Sequence, residues 1–386
     1  MASTSPAAIQ EQDELFMQRA LTLAKQATAL ASPNPQVGCV IVRTEANDEV
    51  LGEGAHLYDN YDHAEIVALK QVAARGLSAF GATAYVTLEP CSHHGRTGPC
   101  ADALVAAGIA RCVVATTDPN PLVSGRGVEK LRQAGINVTV GVLEKEAREL
   151  NDAFAHFIRN STPFVTLKAA LSSDGKLAPP PASRFPNQPH WLTGPASRAE
   201  VQVLRHASDA ILTGIGTVLA DNPQLTDRTE EPRRRPLLRI VMDTHLRLPL
   251  DSHLVWSAKR DLLVLAGPTA SASRIEGLTS RGVEVEVLPE HAGRLSLPAA
   301  LNLLGERKIL SLLLESGSHL NGAFLRQNLV DKAVFFHADA QLGEDAIPFA
   351  HGADPAFAVE QSLLRPTVTT YGADTCISGY LHDPWA

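Results

Sequence analysis

Near the start of the chain, four residues have the types and spacing of a catalytic zinc site. His63 and Glu65 form a His-x-Glu motif at the start of an apolar segment, and Cys91 follows Pro90 after a strand-like run. Cys100 completes a set of three soft ligands. A structural zinc site fills all four coordination positions with protein groups, whereas a catalytic site keeps one position for water. Three ligands beside a spare carboxylate therefore predict hydrolytic zinc chemistry.

The chemistry expected of such a site is the removal of an amino group from a ring. Zinc lowers the pKa of its bound water. Glu65 then takes the proton, hydroxide attacks the amine-bearing carbon, and Glu65 passes the proton to the leaving ammonia. The pattern matches the zinc deaminase signature, except that its second cysteine lies further along, at Cys100. Cys91 is expected to open a helix, whose dipole favours a thiolate.

The composition excludes several other classes of protein. A chain of 386 residues with 45% hydrophobic and 20% charged residues indicates two globular domains. The formal charge of -8 argues against a basic surface for nucleic acid, although a local phosphate pocket remains compatible with it. Five cysteines fit a reducing cytoplasm, and Cys39, Cys112 and Cys376 are interpreted as core side chains. Neither a secretory signal nor a membrane span is expected.

Hydrophobic periodicity places these residues on an α/β scaffold with helices on both faces of a sheet. The first domain is predicted over residues 1–150 and the second over 151–386, joined through a charged helix over 144–159. Helices are predicted over 13–31, 64–74, 101–107, 127–134, 297–304 and 323–327. Strands are predicted over 37–42, 50–55, 82–88, 112–116, 138–140, 164–168, 210–213, 238–242, 262–266, 309–314 and 332–337.

The second half has weaker chemical signals. Gly214–Thr217 and Glu315–Gly322 each follow a predicted strand, where glycines let the backbone approach a phosphate at a helix start. A plain strand-to-helix turn explains them equally well, and no full dinucleotide fingerprint is present. Asp174-Gly175 predicts a turn. Arg233–Arg235 is interpreted as a solvated loop.

Further segments extend the zinc motif into a recognisable pattern: Pro33–Val42, His63–Glu65, Thr87–Thr97 with Cys100, Asp118–Pro121 and Gly125–Gly127. With them, nearly the whole chain resembles the bacterial bifunctional deaminase-reductases of riboflavin biosynthesis. The His93–Thr97 segment separates this pattern from generic cytidine and tRNA adenosine deaminases. The resemblance implies a cytidine-deaminase-like α/β/α domain followed by a dihydrofolate-reductase-like α/β domain.

The resemblance also implies the first reaction. The substrate would be 2,5-diamino-6-(5-phosphoribosylamino)pyrimidin-4(3H)-one, with Asn34, His93, His94 and Arg96 as substrate contacts. Two histidines and an arginine next to a metal ligand would attract a phosphate, although solvated loop residues are the plainer interpretation. Gly98 departs from the family, which usually has proline at that position, but the ligand spacing is unchanged.

For the second domain, the resemblance implies an NADPH-dependent reductase that opens the ribose of the deaminated product to a ribityl chain. The implied cofactor contacts are Ala170, Trp191, Thr217, Asp221, Thr244, Gly317, Ser318, His319, Leu320, Asn321, Gly322 and Ala323. The implied substrate contacts are Arg205, Leu225, Arg228 and Glu315. A guanidinium fork suits the oxygens of a ribose phosphate, although a lone surface arginine is more often only solvated.

Departures from the family pattern leave alternatives open. Pro189 stands where the family often has a serine that contacts substrate, Pro179–Pro181 lengthens the same loop, and Ser173 replaces a leucine. One alternative is a deaminase with a degenerate second domain, and another is a non-catalytic, zinc-stabilised nucleotide-binding module. The leading expectation is a cytoplasmic homo-oligomeric enzyme that binds zinc, NADPH and small phosphoribosylamino-pyrimidines, without nucleic acid or membrane.

Overall fold

The computed structural model describes residues 6–44, 48–94, 98–183 and 190–386, which form two units. The division falls between Asn160 and Ser161, so the boundary predicted at residue 150 lies inside the first unit. No helix in the described part of the chain has both the length and the apolar character needed to cross a membrane.

The first unit contains one five-stranded sheet. Its strands are β1 (Gly38–Arg43), β2 (Glu49–Ala55), β3 (Thr83–Val86), β4 (Arg111–Val114) and β5 (Asn137–Val140). Their order is β2-β1-β3-β4-β5, in which β1 is antiparallel to both neighbours and the last three strands are parallel. Its helices are α1 (Pro6–Gln26), α2 (Ala64–Ala74), α3 (Cys100–Ala106), α4 (Arg126–Gln133), α5 (Glu144–Leu150) and α6 (Asp152–Asn160).

Alternate side chains of this sheet enter two different cores, because successive residues of a strand point to opposite faces. On β1, Cys39 and Ile41 pack with side chains of α2, α3 and α4. Val40 and Val42 pack with α1 and α5 on the other face. The prediction of helices on both faces is thus confirmed, and so is the interpretation of Cys39 as a core side chain.

Three local predictions in this unit are wrong. Helix α1 ends at Gln26, before Ala29, which has a positive φ of 60° and so cannot continue a right-handed helix. The single helix predicted over 144–159 is interrupted at Asn151, whose side chain bonds the backbone N–H and carbonyl of Gln36 at 2.8 and 3.0 Å. Helix α3 begins at Cys100 and not at Cys91.

The second unit contains a nine-stranded sheet. Its longer strands are β6 (Phe164–Leu171), β8 (Ala210–Gly214), β9 (Leu238–Met242), β10 (Leu262–Ala266), β11 (Glu284–Val287), β14 (Ser311–Leu314), β15 (Lys332–His337), β17 (Leu364–Tyr371) and β18 (Asp374–Tyr380). Short pairs outside it are β7 (Lys176–Ala178) with β16 (Ile347–Pro348), and β12 (Glu290–His291) with β13 (Arg294–Leu295). The sheet order is β11-β10-β9-β8-β14-β6-β15-β18-β17, in which only β18 and β17 run antiparallel to their neighbours.

Helices cover both faces of this second sheet as well. They are α7 (Pro195–His206), α8 (Ile215–Asp221), α9 (His253–Trp256), α10 (Ala272–Thr279), α11 (Leu297–Glu306), α12 (Ser318–Arg326) and α13 (Ala356–Gln361). Strand residues alternate between two cores; Leu312 and Leu314, for example, enter one and Leu313 the other. Both units are therefore α/β, as the sequence predicts.

Strands β8 and β14 determine where a ligand site can form. They are parallel neighbours, so their carboxyl ends lie side by side; β8 leads directly into α8, and β14 leads through the short loop 315–317 into α12. A crevice at the carboxyl ends of parallel strands is the usual ligand position in an open α/β sheet. The two glycine segments identified in the sequence lie at these two strand ends.

Two loop predictions have different outcomes. The turn at Asp174-Gly175 is confirmed, because Gly175 has a φ of 72° and the Asp174 carboxylate accepts backbone N–H groups from Leu342 and Gly343 at 3.0 and 2.8 Å. The prediction of a solvated loop is wrong for Arg233. Its side chain is 14% exposed, and the guanidinium donates to the carbonyls of residues 205, 206 and 208 and to the carboxylate of Asp227.

Candidate functional sites

His63, Cys91 and Cys100 converge in the first unit. His63 is the residue before α2, Cys91 lies beyond the end of β3, and Cys100 begins α3. The His63 Nδ1 atom is 3.2 Å from the Cys100 Sγ and 3.5 Å from the Cys91 Sγ, and all three ligand atoms lie within 4.8 Å of one another. Nitrogen and sulfur ligands of a tetrahedral zinc ion stand about 3.5–3.8 Å apart. The donor set and its spacing therefore fit zinc.

The two thiols differ in acidity. The hydrogen bond with Cys100, together with the contacts of His63, outweighs burial and lowers the pKa of Cys91 to about 4. The same hydrogen bond and burial raise the pKa of Cys100. Cys91 is thus the thiolate of the pair, although not because of a helix start as the sequence predicts. Zinc binding requires both sulfurs as thiolates.

Glu65 lies beside this cluster in the first turn of α2. Its side chain is buried, with 3% exposure, and burial raises its pKa to about 7. Glu65 is not one of the three ligand residues. A carboxyl group with a pKa near neutrality can both accept and donate a proton, which is the property that a general acid-base requires.

The predicted deaminase substrate contacts are only partly described. The Asn34 Nδ2 lies 2.9 Å from the His56 Nε2, and the ring of His56 is 5.4 Å from that of His63, so Asn34 lies near the zinc ligands. His93 and His94 are exposed just after Cys91. Arg96 lies outside the described residues. Of the basic cluster inferred from the sequence, the structure thus describes only the two histidines.

Glu89 orders the backbone that leads to Cys91, a role that the zinc motif does not predict. Its buried carboxylate, 6% exposed, accepts four backbone N–H groups. They come from Asp118, Gly125, Gly127 and Val128, at 3.0, 2.8, 2.7 and 3.2 Å. Glu89 therefore ties the chain before Cys91 to the loop over 118–125 and to the start of α4.

The second unit contains a cleft of about 1220 Å³ at the carboxyl ends of β8 and β14. Ligand pockets for single small molecules commonly measure about 300–1,000 Å³, so this cleft has room for two ligands. Twelve of the predicted reductase residues line it: Ala170, Trp191, Arg205, Thr217, Asp221, Leu225, Arg228, Glu315, Gly317, Ser318, His319 and Leu320. Pro189 lies outside the described residues, whereas Pro179–Pro180 and the neighbouring His190 are described.

Four predicted cofactor residues do not line the described cleft. Asn321 is fully buried, where it accepts the Ser316 hydroxyl and donates to the Phe349 carbonyl at 2.7 and 3.1 Å. A side chain at Gly322 would overlap the His351 carbonyl oxygen, and Ala323 packs against the core. The Asn321 and Ala323 side chains thus stabilise the loop between β14 and α12 from its core side. Thr244 lies just after β9 and is not among the lining residues.

A buried ion pair forms one wall of the cleft. Arg205 holds both oxygens of the Glu315 carboxylate, at 2.7 and 3.0 Å, and the Lys168 Nζ lies 3.8 Å from the same carboxylate. Burial raises the pKa of Glu315, but the two cations outweigh it and lower the pKa overall. Burial lowers the pKa of Lys168. Lys168 lines the cleft and was missed as a site residue, because one lysine within a strand has no motif.

The loop between β14 and α12 fits a dinucleotide phosphate. The Ser318 Oγ is buried and has no hydrogen-bond partner within the described ranges. A Cβ at Gly317 would come within 3.4 Å of the Thr217 Oγ1, so glycine keeps this approach open. The N–H groups and dipole at the start of α12 favour an anion at the same place.

Comparisons with known proteins agree with both sites. A model of the cytidine and deoxycytidylate deaminase zinc-binding region matches residues 10–116, and a model of the RibD C-terminal domain matches residues 163–377. The riboflavin biosynthesis protein RibD of Actinobacillus pleuropneumoniae is 44% identical, covering 85% of this chain and 84% of that protein. RibD of Escherichia coli K12 is 42% identical, covering 87% and 90%.

Solved structures give the same result. RibD of Acinetobacter baumannii, at 36% identity, superposes with a TM-score of 0.79 and covers 96% of this chain and 99% of its own. A diaminohydroxyphosphoribosylaminopyrimidine deaminase/5-amino-6-(5-phosphoribosylamino)uracil reductase from Thermotoga maritima, at 33% identity, superposes with a TM-score of 0.80 and the same coverage.

Proposed function

The chain belongs to the RibD family and is a bifunctional deaminase and reductase of riboflavin biosynthesis, and from this premise we propose its two reactions. The first domain hydrolyses the 2-amino group from 2,5-diamino-6-(5-phosphoribosylamino)pyrimidin-4(3H)-one. The second domain uses NADPH to reduce the ribose of the resulting 5-amino-6-(5-phosphoribosylamino)uracil to a ribityl chain. One zinc ion per chain serves the first reaction.

In the deaminase site, each residue has a separate task. His63, Cys91 and Cys100 would hold a zinc ion, which would supply a bound water of lowered pKa. Glu65 accepts the proton of that water and gives it to the departing amino group, for which its pKa of about 7 is suited. Asn34 bonds the pyrimidine ring. His93, His94 and Arg96 attract the ribose phosphate.

In the reductase cleft, the loop before α12 binds the cofactor and the ion-paired wall binds the substrate. NADPH supplies the hydride. Gly317, Ser318 and the N-terminus of α12 hold its pyrophosphate. Further cofactor contacts come from the lining residues Ala170, Trp191, Thr217, Asp221, His319 and Leu320, whereas Thr244, Asn321, Gly322 and Ala323 do not line the described cleft. Cytoplasmic location, a homo-oligomeric state and the absence of nucleic-acid binding stay predictions.

The substrate wall combines phosphate binding with proton transfer. We assign the exposed Arg228 at the cleft to the ribose phosphate, and Leu225 lines the same cleft. Arg205 and Glu315 fix one another by their paired hydrogen bonds. Lys168, whose pKa is lowered by burial, is the N–H donor that we place next to the ribose ring oxygen, where a proton is needed when the ring opens.

The observation that carries the proposal is the convergence of His63, Cys91 and Cys100 beside the buried Glu65. The test is to incubate the purified protein with the diaminopyrimidine substrate, with and without NADPH. We expect one ammonia per substrate in both cases and a ribityl product only with NADPH. Glu65→Gln should keep zinc and lose ammonia release. Ammonia release without NADPH oxidation would refute the second reaction, and no ammonia release from the zinc-loaded protein would refute the first.

A further inference from the structure

A short chain of hydrogen bonds connects the proposed ring-binding residue to the backbone next to a zinc ligand. The Asn34 Nδ2 lies 2.9 Å from the His56 Nε2. The His56 Nδ1 lies 2.8 Å from the backbone carbonyl oxygen of Asp62, the residue before His63. His56, the middle residue of this series, is buried with 3% exposure, and each ring nitrogen has a protein partner.

The proton positions along this chain follow from which groups can donate. A backbone carbonyl can only accept, so the His56 Nδ1 carries the hydrogen. A neutral imidazole has one N–H, and the Nε2 is therefore an acceptor. An imidazolium would donate from both nitrogens, but the Asn34 Nδ2, 2.9 Å from the Nε2, cannot accept a hydrogen bond, so the ring is neutral in this arrangement. Only the NH2 of the Asn34 carboxamide can satisfy this acceptor, so the Oδ1 faces away from His56.

We propose that His56 is a positioning residue that fixes the Asn34 carboxamide with its Oδ1 towards the substrate, so that the deaminase site selects a pyrimidine edge bearing N–H groups. This inference rests on the proposed function of the first domain. In the described part of the chain, no donor bonds the Asn34 Oδ1. A carboxamide that could rotate freely would turn either its NH2 or its oxygen to the ligand. It would then bind a pyrimidine edge bearing a carbonyl as well as one bearing N–H groups. Holding it in one orientation leaves a carbonyl edge unpaired, which disfavours that ligand.

A double-mutant cycle tests whether His56 acts through Asn34. His56→Phe keeps a ring in the buried site but removes the acceptor, and Asn34→Ala removes the carboxamide. We expect kcat/KM for ammonia release to fall about tenfold in His56→Phe and about 100-fold in Asn34→Ala. The double variant should match Asn34→Ala alone, because two residues that act as a unit are not additive. Zinc content and NADPH oxidation should stay at wild-type levels throughout.

The cycle overturns the proposal if the two losses multiply, since His56 would then act independently of Asn34. A rate for His56→Phe within twofold of wild type would overturn it too. Competition with pyrimidine analogues adds a specificity readout. His56→Phe should lose discrimination between an amino-pyrimidinone and the corresponding dione, which a general loss of structure would not produce selectively.

A measurement without turnover separates this inference from the proposed function. In wild-type protein labelled with ¹⁵N-histidine, the His56 signals are assigned by their absence from the His56→Phe spectrum. If that variant does not fold, selective labelling with long-range correlation to the ring protons makes the assignment. We expect the Nδ1–H tautomer at pH 7.5, and an Nε2–H tautomer or a doubly protonated ring would refute the proposal. A protein that shows the expected tautomer but releases no ammonia would refute the proposed function alone.

Discussion

The Glu89 carboxylate and the Gly127 backbone are in direct contact: Oε1 accepts the Gly127 N–H at 2.7 Å. A Cβ at position 127 would overlap the carbonyl oxygen of Pro90, the residue between Glu89 and Cys91. The start of α4 therefore packs against the backbone that leads to a proposed zinc ligand. Glycine is required there by close approach and not by an unusual φ, which makes the contact sensitive to one methyl group.

Gly127→Ala tests this contact. The added methyl has no space, so we expect the free energy of unfolding of the first domain to fall by about 1–3 kcal/mol and zinc affinity to fall with it. Thermal unfolding and zinc retention after dialysis measure the two effects. Gly98→Ala is the matched control, because a Cβ there meets no atom within 4 Å. Equal stability of the two variants would show that the backbone at 127 can move freely.

Glu89→Gln tests the carboxylate itself. The variant keeps the shape but turns an NH2 towards backbone donors, so one buried donor is left facing another. We expect a loss of about 2–4 kcal/mol in first-domain stability and a lower rate of ammonia release, with NADPH oxidation unchanged. Glu129→Gln, on the exposed side of α4, is the control. Wild-type stability in Glu89→Gln would contradict the role given to the four N–H contacts.

Removal of zinc should separate the two activities. Dialysis against a chelator is expected to abolish ammonia release and to leave NADPH oxidation on the deaminated intermediate intact, and added zinc should restore the first activity. Cys100→Ala should reproduce the chelator effect permanently. Cys112→Ala, also buried but outside the ligand cluster, should keep its zinc. Ammonia release that persists at zero zinc would rule out the proposed site.

Ser318→Ala should weaken cofactor binding. Its buried hydroxyl has no partner among residues that the structure describes, which suits a donor reserved for phosphate. We expect the KM for NADPH to rise about tenfold with little change in kcat. Steady-state kinetics at varied NADPH measures this, with the exposed Ser280→Ala as the control. An unchanged KM would place the pyrophosphate elsewhere in the cleft.

We expect the Asp227 carboxylate to make a pH-dependent contribution to the stability of the second domain. Burial raises its pKa, but hydrogen bonds from Thr229, His206 and Arg233 outweigh it and lower the pKa from 3.8 to about 2. The stabilisation is therefore complete above pH 3.8 and is lost as the pH falls through about 2. We expect Asp227→Asn to cost about 1–2 kcal/mol at pH 7.

The measurement is chemical denaturation of wild type and Asp227→Asn across the acid range. The difference between them should be constant above about pH 5 and should shrink as the pH approaches 2. Asp251→Asn, an exposed aspartate of the same unit, controls for the general change in charge. A difference that grows on acidification would reverse the sign of the argument.

The sequence predicted the buried part of the fold well. Helix 64–74 and the strands over 238–242, 262–266 and 332–337 have the predicted bounds. Central strands of a parallel sheet are continuous apolar runs, which are unmistakable in a sequence. The proposed zinc ligands were equally accessible, because histidine and cysteine side chains at matching strand and helix ends seldom occur together except where they bind a metal ion.

What the sequence did not show depends on partners that are distant along the chain. Strand β17 was missed because nearly all its residues are exposed, so no buried face produces an alternating pattern. Arg233 is held in place, partly buried, only because the backbone carbonyls of residues 205, 206 and 208 accept hydrogen bonds from it. His56 is assigned its role through the Asn34 side chain and the Asp62 carbonyl, and Glu89 through four backbone N–H groups. Residue spacing alone does not indicate such hydrogen bonds.

The proposed zinc residues all belong to the first unit, and the described cleft is lined only by residues of the second. In genetic terms, substitutions that abolish the deamination step and substitutions that abolish the reduction step are expected in different parts of one gene. An allele carrying Glu65→Gln and an allele damaged at Ser318 would each keep the step that the other has lost. Two such alleles in one cell should therefore complement each other for growth without riboflavin.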